Sequence, residues 1–436
     1  MSQLWKQWLK TVNRYPQKKI FIDTSLNQII TAQELTQRVE QLTETSLFQK
    51  IKEAEVAFCL PNGMDWLTLF LAIQKAGAIA LPLDNTLSQS AQWNVAKQLG
   101  AHFLWQDHGL YDFKQIKFPK KNSCLIKLTS GTSGKVKKVY CSTQNMVADG
   151  QQIISTMKIK SSDINLGLIP FGHSYGLGNL IMPLILQGTP IVSAPTFLPA
   201  QIPQWIKQFQ VTIFPSVPTI FQLLNELPSV RSLKPLRLVV SAGARLSCDV
   251  AQHFFKKFEL KLHNFYGSSE TGGICYDKTG LATLSGRSVG KPLDRVKVKI
   301  MPLERIQVKS RAVFNRVFLL HDLGRWNRWG ELELLGRQQP LVNVGGKKIN
   351  PQEIELLLRA EKNISEILTM PYQDKAREFF VVIVEGSCNE KEIWRFLYQK
   401  LPLWKMPKKI IVTPKMPRTV RGKLDVNQLK KLLRLM

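Results

Sequence analysis

The chain has 436 residues, 44% apolar and 21% charged, which is enough to bury more than one core and falls outside the disordered and fibrous classes. Sixty Lys+Arg against 32 Asp+Glu give a net charge of +28, an attraction for anions of any kind; no interleaved Arg/aromatic RNA-binding signature accompanies it, so no nucleic-acid partner is expected. There is no uninterrupted apolar run of membrane-spanning length, no signal-peptide core at the N-terminus, and no close pairing among the six cysteines, so a soluble, cytoplasmic protein with reduced thiols and no transmembrane segment is expected.

Val56-Ala57-Phe58-Cys59-Leu60 reads as a buried strand, Trp66 to Ala76 as a helix and Ala78-Ile79-Ala80-Leu81 as a second strand, which together make a βαβ unit. Short apolar strands recur at Leu125-Ile126, Leu166 to Ile169, Val211 to Phe214 and Leu238-Val239-Val240, with helical stretches between several of them. The fold class is therefore α/β: a large N-terminal domain of βα units with packed sheets over residues 1–337. Gln338-Gln339-Pro340 is the expected linker. Beyond it the texture becomes strand, helix, strand, strand, helix, which predicts a small α+β lid domain over residues 338–436. Asn389 with Glu392 reads there as a helix capping box. The tail Leu429 to Leu435 is short, basic and amphipathic, a pattern shared by ordinary last helices and by weak membrane-surface contacts.

Leu128-Thr129-Ser130-Gly131-Thr132-Ser133-Gly134-Lys135-Val136-Lys137 comes after a strand and is expected to precede a helix. Its glycines let backbone N–H groups approach phosphate oxygens, its hydroxyls add donors, and its lysines supply point charge. GxxxxGK[ST] is absent, so this is not a Walker loop.

Together with five motifs downstream of it, this loop resembles the ordered signature of the adenylate-forming superfamily of acyl-CoA synthetases, firefly luciferase and peptide-synthetase adenylation domains, over nearly the whole chain. The loop matches the family's TSGTTGxPK, Tyr266-Gly267-Ser268-Ser269-Glu270-Thr271 its YGxTE, His321-Asp322-Leu323-Gly324 its GDLG, and Gly336-Arg337 its GR pair. The stretch from Gly345 to Glu355 and the stretch Pro417 to Asp425 complete the set in family order.

The resemblance implies ATP, Mg²⁺ and CoA, or the phosphopantetheine of a carrier protein, as cofactors. It assigns Thr129, Ser130, Gly131, Thr132, Ser133, Gly134 and Lys137 to the pyrophosphate end of ATP, and Glu270 to Mg²⁺. Tyr266 would stack on adenine beside Gly267 and Ser268, Ser269 would contact the α-phosphate, and Ala242, Gly243 and Ala244 would line the adenine and acyl sites. Asp322 and Arg337 would bind ribose, and Lys423 would be the catalytic lysine. The lid is implied to be mobile, rotating so that Gly346 and Lys348 meet a pantetheine thiol. Bringing a carboxylate onto the α-phosphate joins two anions, so cations rather than a general base are what the chemistry requires.

Pro170-Phe171-Gly172-His173-Ser174-Tyr175-Gly176 matches the segment that gates the acyl pocket in acyl- and aryl-CoA ligases, with His173 as a catalytic-site candidate beside the carboxylate's entry path. No acidic residue occurs from Ile164 to Leu186, so a substrate ammonium would be left unpaired and an α-amino acid is disfavoured. The small residues Gly267, Ser268, Gly272 and Gly273 favour a fatty or aryl acid. Val136, Ser269 and His321 depart from the family pattern, and Gln339 stands where the family places a charged hinge residue. Transfer to CoA is preferred, transfer to an acidic acyl carrier protein is the alternative, and a non-catalytic adenylate-binding regulator is the reading from another class.

Overall fold

A computed structural model describes residues 2–114, 122–130, 136–194, 198–338, 342–344, 347–349, 351–359, 361, 363–374, 377–401, 403–419 and 424–435. The chain divides into two compact units: residues 1–299 with 307–318 and 328–332, and residues 300–306 with 319–327 and 333–436.

Two sheets build the first unit. The larger has nine strands in the spatial order Lys291–Pro292, Gly272–Tyr276, Leu262–Ser268, Leu238–Ser241, Ile213–Ser216, Asn165–Gly167, Ile191–Ser193, Lys19–Asp23 and Gln28–Thr31. Its strands are parallel from Leu262–Ser268 through Lys19–Asp23, and antiparallel pairs finish both margins. The second sheet runs Gly109–Asp112, Phe103–Gln106, Glu55–Phe58, Ile79–Pro82, Leu125–Ser130 and Val136–Cys141. The expected βαβ unit lies here: Glu55–Phe58 and Ile79–Pro82 pair in parallel and are joined by the helix Met64–Ala76. That helix is buried along most of its length, because it sits in an apolar layer drawing Val56, Phe58, Ala80 and Leu125 from one sheet and Phe21 and Ile191 from the other. The far face of the larger sheet packs Phe214 and Val239 against Phe221, Phe254 and Phe258.

A buried ion pair fixes the amino ends of three adjacent parallel strands. Asp163, two residues before Asn165–Gly167, accepts from Arg237 Nε at 2.7 Å, from Thr212 Oγ1 at 2.9 Å and, at its other oxygen, from Lys160 N at 2.7 Å and Arg237 Nη2. Thr212 and Arg237 immediately precede the neighbouring strands. Burial works against the Asp163 anion, but its hydrogen bonds from Arg237, Lys160 and Thr212 outweigh that and hold its pKa below the usual carboxylate value. A depressed native pKa stabilises above the unfolded-state pKa and loses that contribution as pH falls through the native one. Asp163→Ala is therefore expected to cost about 3 kcal/mol near neutrality, since it strands a partly buried guanidinium. Parallel thermal melts of the two proteins should show their difference in Tm narrowing as pH is lowered.

The second unit contains the expected alternation. Val342–Val344 pairs with Lys347–Ile349, the helix Pro351–Leu358 comes next, and Ile364–Asp374, Arg377–Gly386 and Lys409–Thr413 form a three-stranded sheet. Asn389 caps the helix Glu390–Lys400 reciprocally with Glu392. The tail forms the helix Val426–Leu435. Among the described residues no helix is long and apolar enough to cross a membrane, and all six cysteines are free.

Candidate functional site

The Ser/Thr/Gly loop sits otherwise than expected. It leads into a strand, not a helix: Val136–Cys141 runs back antiparallel to Leu125–Ser130, with Thr129 opposite Lys137 and Ser130 opposite Val136. The reason is local, because Val136, Val139 and Tyr140 favour an extended chain. The next helix, Thr143–Met157, begins only after Ser142, which forms a capping box with Asn145. Lys137 is exposed and Thr129 half-buried, and as register partners the two project from the same face. Gly131, Thr132, Ser133 and Gly134 lie outside the described residues, as do Gln339, Gly346 and Lys423; of Lys348 the backbone pairing with Asn343 is described.

The remaining candidates of the first unit gather at the carboxyl ends of the parallel strands, the customary place for a ligand in an open α/β sheet. Ser241 ends one strand, and Ala242 N donates to Ser216 O of its neighbour at 3.2 Å. Gly243 turns the chain with φ +86° and is exposed, between buried Ala242 and half-buried Ala244. One strand over, Leu262–Ser268 carries Tyr266, Gly267 and Ser268 into a tight return onto Gly272–Tyr276. The Ser268 hydroxyl closes this return: Thr271 N donates to it at 3.3 Å, and it lies 3.0 Å from Thr271 Oγ1. Ser269 and Glu270 form the tip, both half-buried. A side chain at Gly267 would place its Cβ 2.6 Å from Gly272 O, so the strand must be glycine there for the hairpin to close.

His173 is half-buried and opens the short helix Ser174–Gly176. Its segment is held from two sides by residues that lie outside the sequence-derived site set. Buried Asn62 donates from Nδ2 to Gly167 O at 3.2 Å and Ile169 O at 2.8 Å, and accepts from Phe171 N at 2.8 Å. Tyr175 donates its phenol to Val240 O at 2.9 Å, and its ring lies 5.9 Å from that of Phe265. Burial raises the Tyr175 pKa well above the ordinary phenol value, so the hydroxyl remains a donor. A Cβ on Gly176 would lie 2.1 Å from Pro170 O, which accounts for the glycine in this motif. The His173 segment, residues 241–244 and residues 266–270 are thus brought to one end of one sheet.

In the second unit, Arg337 Nε donates to Asp322 Oδ1 at 2.8 Å, with the arginine side chain 67% exposed. The pair offers carboxylate acceptors and guanidinium donors side by side, a set suited to vicinal hydroxyls.

As for what else could be held here, Glu270 is a carboxylate in a turn and forms no ion pair among the described residues. An oxygen donor of that kind fits a hard divalent cation such as Mg²⁺.

The family model described as AMP-binding enzyme matches residues 8–117 and 93–308 of this chain. A 2-succinylbenzoate–CoA ligase from Bacillus cytotoxicus is 26% identical over 464 aligned positions, covering 95% of this chain and 96% of the relative. An uncharacterized acyl–CoA ligase of Bacillus subtilis is 24% identical, with 95% of each chain covered. The fold is shared with ATP-bound MatB from Rhodopseudomonas palustris at a TM-score of 0.80, 20% identity and coverage of 99% and 98%. It is also shared with O-succinylbenzoate CoA synthetase from Bacillus subtilis in complex with its acyl-adenylate intermediate, at a TM-score of 0.77, 21% identity and 97% coverage of each chain.

Proposed function

Because this chain belongs to the AMP-binding enzyme family, we propose that it is an AMP-forming acid–CoA ligase acting on an aryl or fatty acid. In the first half-reaction an oxygen of the substrate carboxylate bonds to the α-phosphorus of ATP, and the bond from that phosphorus to the bridging oxygen breaks, releasing pyrophosphate. In the second, the CoA sulfur bonds to the acyl carbon, the bond to the AMP oxygen breaks, and the thiol proton leaves to solvent.

The observation that carries this reading is the gathering of residues 241–244, 266–270 and the His173 segment at one end of the larger sheet, with Tyr175 bonded to Val240 O. On this reading Tyr266 and Ala242 to Ala244 hold the nucleotide base, Ser269 orients the α-phosphate, and Thr129 to Gly134 with Lys137 hold the departing pyrophosphate. Glu270 would hold Mg²⁺, which when bound supplies charge neutralisation for the phosphates. Asp322 and Arg337 would bind the ribose hydroxyls. Lys423, on a lid rotating about Gln339, would place its ammonium between the two reacting anions, and Gly346 and Lys348 would meet the thiol donor. His173 would line the acid's entry path. The relative named for 2-succinylbenzoate favours an aryl-bearing acid among the candidates, and the absence of any acidic residue from Ile164 to Leu186 disfavours an amino acid.

The test is acid-dependent pyrophosphate release from MgATP across aryl acids, fatty acids of several lengths and amino acids, with CoA, with an acyl carrier protein, and with neither. An aryl or fatty acid is expected to support release, and CoA to yield the thioester. A thioester formed only on the carrier protein would move the acceptor to that partner. Failure of every acid to support release, while MgATP still binds, would favour the non-catalytic adenylate-binding reading instead.

A further inference from the structure

The helix Thr143–Met157 turns a polar stripe inward. Asn145, Asp149, Gln152 and Thr156 are all buried, and their spacing of four, three and four residues places them on one face. Each is matched to a distant segment. Asn145 Nδ2 donates to Arg311 O at 2.9 Å and Val313 O at 3.1 Å. Gln152 Nε2 donates to Ser310 Oγ at 3.0 Å, and Thr156 Oγ1 accepts from Asp294 N at 2.9 Å. Asp149 differs from the others in what it holds: its Oδ1 accepts from Gly273 N at 2.9 Å, and Gly273 lies at the start of the strand that returns from the Ser269–Glu270 tip.

We infer that Asp149 is a positioning residue of the nucleotide site, fixing the hairpin return that carries Tyr266 and Glu270. The hairpin register slips between Tyr266 and Gly267, so the ladder is irregular where the return must be held, and Asp149 takes up the Gly273 amide there. The fit is close. Gly272 has φ +72°, and a Cβ on it would lie 2.3 Å from Asp149 Oδ1, so the carboxylate occupies the space that any side chain at that position would need. Lys127 is buried on the strand that leads into the Ser/Thr/Gly loop, two residues before Thr129. Burial pushes the Asp149 pKa up, while the charge of Lys127 and the Gly273 amide act in the opposite direction. Asp149 is thus tied by hydrogen bond to the Glu270 hairpin and by electrostatics to the strand of the candidate phosphate loop.

The inference rests on the nucleotide-binding reading of this site, and its test has readouts independent of turnover. The full chain is compared with Asp149→Ala, Asp149→Asn and Gln152→Ala by hydrogen–deuterium exchange over residues 266–276, MgATP titration calorimetry and thermal melting. Asp149→Ala is expected to speed exchange in that segment and to weaken MgATP binding about tenfold, because it leaves a buried amide unpaired. Asp149→Asn keeps an acceptor in place and is expected to bind within about threefold of the wild type. Gln152→Ala removes a neighbouring pair of the same stripe and is expected to lower Tm while leaving MgATP affinity unchanged. Unchanged exchange in Asp149→Ala, unchanged affinity in Asp149→Ala, equal weakening in Gln152→Ala, or an Asp149→Asn as weak as alanine would each overturn the assignment. If alanine does not fold, Asp149→Ser takes its place, since its shorter side chain falls short of Gly273. Wild-type protein that does not bind MgATP sinks the functional reading instead, and exchange over residues 266–276 still decides whether Asp149 holds the hairpin.

Discussion

Lys423→Ala is expected to lower acid-dependent pyrophosphate release by about 10²- to 10³-fold, the usual cost of deleting one preorganised charge aimed at a developing anion. The loss should fall on kcat, with the KM for MgATP changed little, because an ammonium between the attacking carboxylate and the α-phosphate interacts most strongly when the two are closest. Lys423→Arg keeps the charge but replaces a compact point charge with a planar fork, and recovery should be partial. The check is steady-state pyrophosphate release with the best acid of the panel, alongside MgATP binding by calorimetry. A variant that retains full kcat would remove Lys423 from the chemistry and leave the candidate site without its cation from the second unit.

Gly272→Val should be the most damaging single change in the first unit's hairpin. Its backbone stands at φ +72°, where a β-branched residue is strained by about 1–3 kcal/mol. Its Cβ would also enter the Asp149 carboxylate, and overpacking adds a cost of about the same size. A total of roughly 3–5 kcal/mol is expected from the two terms, read as a shift in the urea midpoint. The same variant should lose MgATP affinity, because the strand it distorts returns directly from Glu270. Combining it with Asp149→Ala removes the collision but not the backbone strain. The double variant should therefore be more stable than additivity predicts, and strict additivity would mean that the carboxylate is not what the valine meets.

The fold and the site were unequally readable from the chain. The βαβ unit over residues 55–82 was plain because Val56 to Leu60 and Ala78 to Leu81 are short apolar runs flanking a long apolar helix, and both faces of each strand are buried. The capping box at Asn389 was readable because both partners lie within one turn. The expectation of a helix after the Ser/Thr/Gly loop failed because glycine-rich loops of two kinds look alike until the partner of the next six residues is known. That partner, Leu125–Ser130, lies on the other side of the loop. Asp149 and Tyr175 were hidden for a different reason: Asp149 meets Gly273 124 positions away and Tyr175 meets Val240 65 positions away. No local period records such a pairing. A polar stripe recurring at helical spacing through Asn145, Asp149, Gln152 and Thr156 was the available signal. The site residues themselves were readable chiefly through the family's ordered motifs, since a Thr, a Gly or a Glu in isolation carries no such information.

Val136–Cys141 is the outermost strand of the six-stranded sheet, and its free margin is what a second chain in the course of folding would find first. Lys137 stands exposed on that margin, where a charged side chain discourages intermolecular pairing. A residue assigned to hold pyrophosphate therefore also keeps the sheet from growing. Replacing it with an apolar residue to probe nucleotide binding would lower the yield of dispersed protein as well as its activity, so the informative substitution at this position is one that stays polar.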